Sequence, residues 1–185
     1  MESELRAIAE KVNNCRKCRL CEGALNGVPG EGSSRSGIMF IGEAPGRFED
    51  IQGRPFVGAA GKLLSQMLES IGLKREDVFI TSIVKHRPPK NREPKPDEVK
   101  ACAPYLKAQI KALKPRLIVT LGRHAMDRFF PGLKISEVHG TARKGTIGGG
   151  TEQNFFLMYH PASALHNPLL KGTLFEDFKK IPEAL

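Results

Sequence analysis

Four short apolar runs punctuate the chain: Ile38 to Ile41, closed by Gly42; Val78 to Val84; Leu117 to Leu121, closed by Gly122; and Phe155 to Tyr159. Runs of this length, rich in Ile, Val and Phe and ended by glycine or polar residues, predict buried strands. Between them the apolar positions change period. Leu5, Ile8, Ala9 and Val12 form a helical stripe over 3–13. Leu64, Met67, Leu68 and Ile71 do the same over 60–72, as do Val99, Cys102, Leu106, Ile110 and Leu113 over 97–113. A shorter helix fits Arg123 to Phe130, and a last one fits about Gly172 to Ile181. Strands that alternate with helices predict an α/β fold, a parallel sheet covered on both faces. No linker-like stretch and no internal repeat interrupts the pattern, so residues 1–185 are expected to form a single domain.

In an open parallel sheet, ligands bind beyond the carboxyl ends of the strands. Three loops lie there: Gly42 to Gly61, Lys85 to Arg92, and His160 to Pro168. Two other segments are glycine-rich: Gly27 to Gly37, expected as a loop, and Val138 to Gly150, basic and expected as a turn or hairpin.

Composition then narrows the function. With 40% hydrophobic and 26% charged residues the chain reads as a globular protein, and no apolar run approaches the ~20 residues of a membrane span. The acidic start, Met1-Glu2-Ser3-Glu4, lacks the basic and apolar regions of a signal peptide, so a cytoplasmic protein without membrane contact is expected. The net charge of +9 favours a polyanionic partner, nucleic acid first. Three of the four cysteines, Cys15, Cys18 and Cys21, fall within seven residues, and the fourth is Cys102. Such clustering in a reducing compartment points to metal rather than disulfides.

The loops carry the chemistry. The first reads Gly42-Glu43-Ala44-Pro45-Gly46, then Gly53-Arg54-Pro55-Phe56-Val57-Gly58. Its glycines allow close backbone approach to a ligand, Glu43 offers a carboxylate at a strand end, and Phe56 an aromatic face. A phosphate-binding P-loop does not fit: Phe56 stands five residues before Gly61-Lys62, and Leu63 occupies the Ser/Thr position. Gly42 and Gly46 also miss the dinucleotide fingerprint. In the last loop, His160 follows a buried strand directly, where an imidazole can donate to developing negative charge. The middle loop, Lys85-His86-Arg87-Pro88-Pro89-Lys90-Asn91-Arg92, puts four cations into eight residues and suits a phosphate backbone.

Taken together, GEAPG, GRPFVG, a strand running into Lys-x-Arg-Pro-Pro-x-Asn-Arg, and HPA-x-x-L-x-NP resemble the family 4 uracil-DNA glycosylases, the iron–sulfur branch of the uracil glycosylase superfamily. The resemblance runs from Cys15 to Pro168 with every motif in order. It implies a three-layer α/β/α sandwich around a four-stranded parallel sheet, and a monomeric base-excision repair enzyme. Such an enzyme flips uracil out of DNA and hydrolyses its N-glycosidic bond, leaving an abasic site. By resemblance, His160 steadies the leaving base, Phe56 stacks on it, and Glu43 sits beside the sugar. Backbone amides from Gly42 to Ala44 complete the pocket, and Asn91 lies near it. Lys85, Arg87 and Arg92 meet the DNA backbone, and Leu165 is a wedge into the vacated space.

Two positions depart from the family pattern. Where the family carries Asn, in a pattern like Thr-Asn-x-Val-Lys, this chain has Ser82, whose single hydroxyl replaces an amide that pairs with the uracil edge. A weaker uracil preference or a wider range of deaminated bases follows as the alternative. The family's [4Fe–4S] cluster is held by four cysteines. Cys15, Cys18 and Cys102 match three, and the fourth position holds His86, with Cys21 as the rival ligand. A Cys3His set also suits structural zinc. Charge and cysteines alone would equally fit a metal-containing nucleic-acid-binding module without catalysis.

Overall fold

The apolar runs become strands because consecutive side chains point to opposite faces, and both faces are covered. In the computed structural model, which describes residues 1–148 and 150–185, the chain opens with helices α1 (Glu2–Asn13) and α2 (Leu20–Gly23) and strands β1 (Glu31–Gly32) and β2 (Ile38–Gly42). Helices α3 (Arg47–Gln52) and α4 (Ala59–Ser70), strand β3 (Phe79–Ser82), helix α5 (Pro96–Leu113) and strand β4 (Leu117–Leu121) follow. Helices α6 (Arg123–Asp127) and α7 (Ile135–Val138), the hairpin of β5 (Thr141–Ile147) and β6 (Thr151–Met158), and helices α8 (Ala162–His166) and α9 (Leu170–Lys179) complete it.

The sheet order is β1-β3-β2-β4-β6-β5. Its four inner strands, β3, β2, β4 and β6, are parallel and are the four expected from the sequence. Two antiparallel edge strands correct the four-stranded expectation and make the sheet six-stranded. The physical reason is exposure. β1 has two residues, and β5 is exposed along most of its length, so neither carries an apolar signature. The basic stretch expected as a turn or hairpin supplies β5; Gly149 lies outside the described residues.

Strand alternation divides the core in two. Met39, Ile41, Ile118, Phe155 and Leu157 pack with α5 residues Tyr105, Leu106 and Ile110 and with Val12 of α1. Ile38, Phe40, Val119, Phe156 and Met158 pack on the other face with Leu64, Met67 and Leu68 of α4 and with Leu174 and Phe178 of α9. The result is the expected three-layer sandwich. Among the described residues, no helix is long and apolar enough to cross a membrane.

Register aligns the ends of the inner strands. Gly42 of β2 pairs with Ser82 of β3, and Leu121 of β4 with Met158 of β6. The loops after these strands therefore start side by side.

Candidate active site

A cavity of about 650 Å³ opens at this end of the sheet. Its wall brings together Glu43, Ala44, Phe56, Ser82, Asn91, Arg92, His160 and Leu165, all singled out from the sequence. Arg87 is not on the wall; its Nε donates to Asn91 Oδ1 at 2.7 Å and so holds the side chain of Asn91.

Phe56 occupies a left-handed backbone position (φ 50°), a strained state for an aromatic residue that its surroundings must enforce. They do so from two sides. Arg75 donates to the carbonyls of Pro55 (2.7 Å) and Phe56 (3.0 Å) while pairing with Glu31 at 2.7 Å. Below the ring lies Gly42, where an added Cβ would stand 2.7 Å from the ring edge. Gly42 thus acts as the floor of the aromatic platform and not as a wall of the cavity. Gly42→Ala is expected to displace the ring and lower activity at least about tenfold, with little change in melting temperature; a steady-state assay beside a thermal melt checks both.

His160 follows β6 and faces Phe56, with ring centroids 5.6 Å apart. Gly122 makes room for it, since a Cβ there would lie 2.9 Å from that of His160. Burial pushes the His160 pKa down to about 4, so the ring is neutral near pH 7. Its Nδ1 accepts the backbone N–H of Ala162 at 3.1 Å. The proton of the neutral ring is therefore assigned to Nε2, which becomes a donor.

Glu43 stands in a different field. Burial raises its pKa, and the charge of Glu93 raises it further, while His124 and Arg123 oppose the rise. One residue the sequence reading missed holds the loop together. Glu49 accepts from the amides of Gly46 (3.2 Å), Val57 (2.9 Å) and Gly58 (3.0 Å), joining the two glycine-rich halves. Its spacing to Gly46, an acid three residues into a helix, was the available signal.

Two sequence expectations about cations change. Lys85 is fully buried and does not reach the surface where a phosphate would pass. Its amine donates to Thr81 Oγ1, Ser82 O and Gln109 Oε1 at 2.6–2.8 Å, and burial pushes its pKa down to about 7. Expected DNA contact by Lys85 is thus replaced by an internal role, because three acceptors compensate its desolvation. Arg92 does reach the cavity, but its guanidinium forks onto buried Glu98 at 2.7 and 2.8 Å. That pairing holds the Glu98 carboxyl at a pKa of about 2. Leu165, on α8, is about half exposed at the cavity rim, where His166 and Ser163 also lie.

A second, small cavity is lined by Cys15, Cys18, His86 and Cys102, with Lys17, Leu20, Lys85 and Ala101; Cys21 is not on its wall. All four cysteines are free thiols. Burial pushes the Cys102 thiol up to about 11 and also raises that of Cys18. The Lys85 amide donates to Cys102 Sγ at 3.2 Å. Ser82 lines the first cavity and His86, four residues on, lines this one.

The sequence model of the Uracil DNA glycosylase superfamily matches residues 29–184. The chain belongs to that superfamily. Within it the chain is 50% identical to the type-4 uracil-DNA glycosylase of Saccharolobus solfataricus, over 96% of this chain and 85% of that one. It is 51% identical to the type-4 uracil-DNA glycosylase of Sulfurisphaera tokodaii, over 97% and 84%. Against the type-4 enzyme of Archaeoglobus fulgidus the identity is 46%, over 99% and 94%. The matched region includes every wall residue from Glu43 to His166; Val28, also on the wall, lies one residue before it.

Proposed function

We propose that this protein is a DNA-repair enzyme that extrudes uracil from DNA and hydrolyses its N-glycosidic bond. The observation that carries this reading is the convergence of Glu43, Phe56 and a neutral, Nε2-protonated His160 on one cavity. Breaking the C1′–N1 bond leaves the electron pair on the base and positive charge on the sugar. A catalyst needs a donor for the first, a carboxylate for the second, and a face on which the extruded base can stack. His160 Nε2–H supplies the donor at the base oxygen, Glu43 balances the sugar and orients the attacking water, and Phe56 provides the face. Asn91, held by Arg87, borders the same space. Leu165 enters the gap left by the base, and the exposed part of the basic loop follows the phosphates. The reading takes residues 1–185 as one catalytic domain that works as a monomer.

We also assign Cys15, Cys18, His86 and Cys102 to a [4Fe–4S] cluster. Three sulfurs and an imidazole are soft donors that suit iron–sulfur or zinc chemistry. The four side chains line one small cavity, and the family resemblance favours iron–sulfur over a single zinc. When bound, the group supplies a structural cross-link between the N-terminal segment and the loop and helix carrying His86 and Cys102; hydrolysis of this bond needs no electron transfer.

The deciding experiment uses labelled oligonucleotides, single- and double-stranded, carrying uracil, hypoxanthine or xanthine. Alkali-labile breaks at uracil are expected; an absence of abasic sites on every uracil substrate sinks the reading. Ser82 is the specific reason to compare bases, because its hydroxyl stands on the cavity wall where an amide would read the uracil edge. Ser82→Asn is expected to raise uracil preference by about 1–3 kcal/mol. Unchanged base preference would remove Ser82 from the specificity argument.

A further inference from the structure

Glu43 is the wall between two cavities. The first holds Phe56 and His160; the second, of about 560 Å³, is lined by Glu43, His124, Lys100, Asp127 and Arg128 among mostly apolar residues. The carboxylate is therefore approached from behind, on the side away from the base. His124 is what stands there. It sits in α6, directly after β4, and its Nε2 lies 3.8 Å from Glu43 Oε2 and 2.9 Å from Glu93 Oε1. Arg123 donates to the same Glu93 oxygen at 3.1 Å. Glu93 is well exposed, whereas Glu43 and His124 are mostly covered.

We propose that His124 sets the charge of Glu43: placed between the inner carboxylate and Glu93, it acts on Glu43 from outside the base cavity. This rests on the reading that Glu43 serves uracil excision and assigns the control of its charge. The groups facing Glu43 have opposite signs. His124 when protonated and Arg123 favour its ionised form, while burial and Glu93 disfavour it, and Arg123 Nη2 also lies 3.0 Å from His124 Nε2. Asp127 lies on α6 with Arg123 at 3.9 Å, and Arg128 and Lys100, from the end of α6 and from α5, border the same cavity.

The two neighbours give a test with opposite outcomes. An Asp or Glu carboxyl loses ionisation as an adjacent cation is removed and gains it as an adjacent anion is removed. His124→Gln is therefore expected to move the acid limb of the kcat/KM profile to higher pH, by on the order of one unit. Glu93→Gln moves it to lower pH. In both variants the plateau and the KM for DNA are preserved. A lowered plateau with the limb in place, or limbs that move in the same direction, overturns the proposal. Titration of the Glu43 carboxyl carbon by NMR, without substrate, must show the same two displacements. If the wild-type protein releases no uracil, the functional reading fails by itself, and the NMR displacements still decide whether His124 controls Glu43. Should His124→Gln fail to fold, His124→Asn is titrated in its place, and a Glu43 carboxyl that does not move overturns the proposal.

Discussion

Replacing His160 with alanine lowers the single-turnover rate of uracil excision by about 10²- to 10³-fold, the loss that follows removal of one donor aimed at a developing anion. The size of this effect comes from preorganisation. The Ala162 amide fixes the tautomer through Nδ1, Gly122 fixes the backbone approach, and burial keeps the ring neutral. No part of that arrangement has to form during the reaction. A neutral donor is the right species here: it strengthens its bond as charge grows on the base, and its N–H is too weakly acidic to be given up to the base. The pH dependence follows with its sign. Since the folded pKa is about 4, His160 remains neutral between about pH 5 and pH 8. The fold-loss in His160→Ala is therefore constant over that range. A loss below tenfold, or one that changes around neutrality, would show that the ring acts otherwise.

The second large effect concerns the small cavity. Cys102→Ala is expected to abolish iron binding, for which about four irons per chain are expected in the wild-type protein. The melting temperature should fall by at least about 10 °C, since loss of a metal-type cross-link belongs to the largest single-site destabilisations. In the free protein, burial holds the Cys102 thiol protonated, so ligation must expel its proton, and the affinity for a cluster is expected to fall as pH is lowered. His86→Ala should lose iron similarly and His86→Cys should retain it. Cys21→Ala should leave iron content unchanged, because Cys21 lies off the cavity wall. Iron counted in anaerobically purified protein, with the visible absorption, reads all four. A colourless protein containing one zinc, or bleaching by Cys21→Ala but not by His86→Ala, would contradict the assignment.

Much of this was legible in the sequence, for a physical reason in each case. The four inner strands are apolar on both faces and announce themselves as continuous runs; β5 is exposed and polar and does not. Glu43, Phe56 and His160 were visible because each follows a strand or a glycine-rich turn, where a fold of this class places its ligands. What the sequence concealed was pairing. Lys85 and Arg92 read as free cations, yet beside Thr81 on β3 their acceptors are Gln109 and Glu98, whose approach depends on how α5 packs against the sheet. His124 was hidden likewise, since its partners Glu43 and Glu93 sit far away along the chain.

The buried amine of Lys85 has a further consequence. Ser82 and His86, the two departures from the family pattern, flank Lys85 on one strand exit; its amine bonds Ser82 O and its backbone N–H bonds Cys102 Sγ, so the residue ties both cavities into a single block. Substitutions at 82 and 86 should therefore be non-additive. A double-mutant cycle joining Ser82→Asn to His86→Cys would measure that epistasis, and redesign of base selectivity in this protein is best carried out by transplanting residues 81–86 as one cassette.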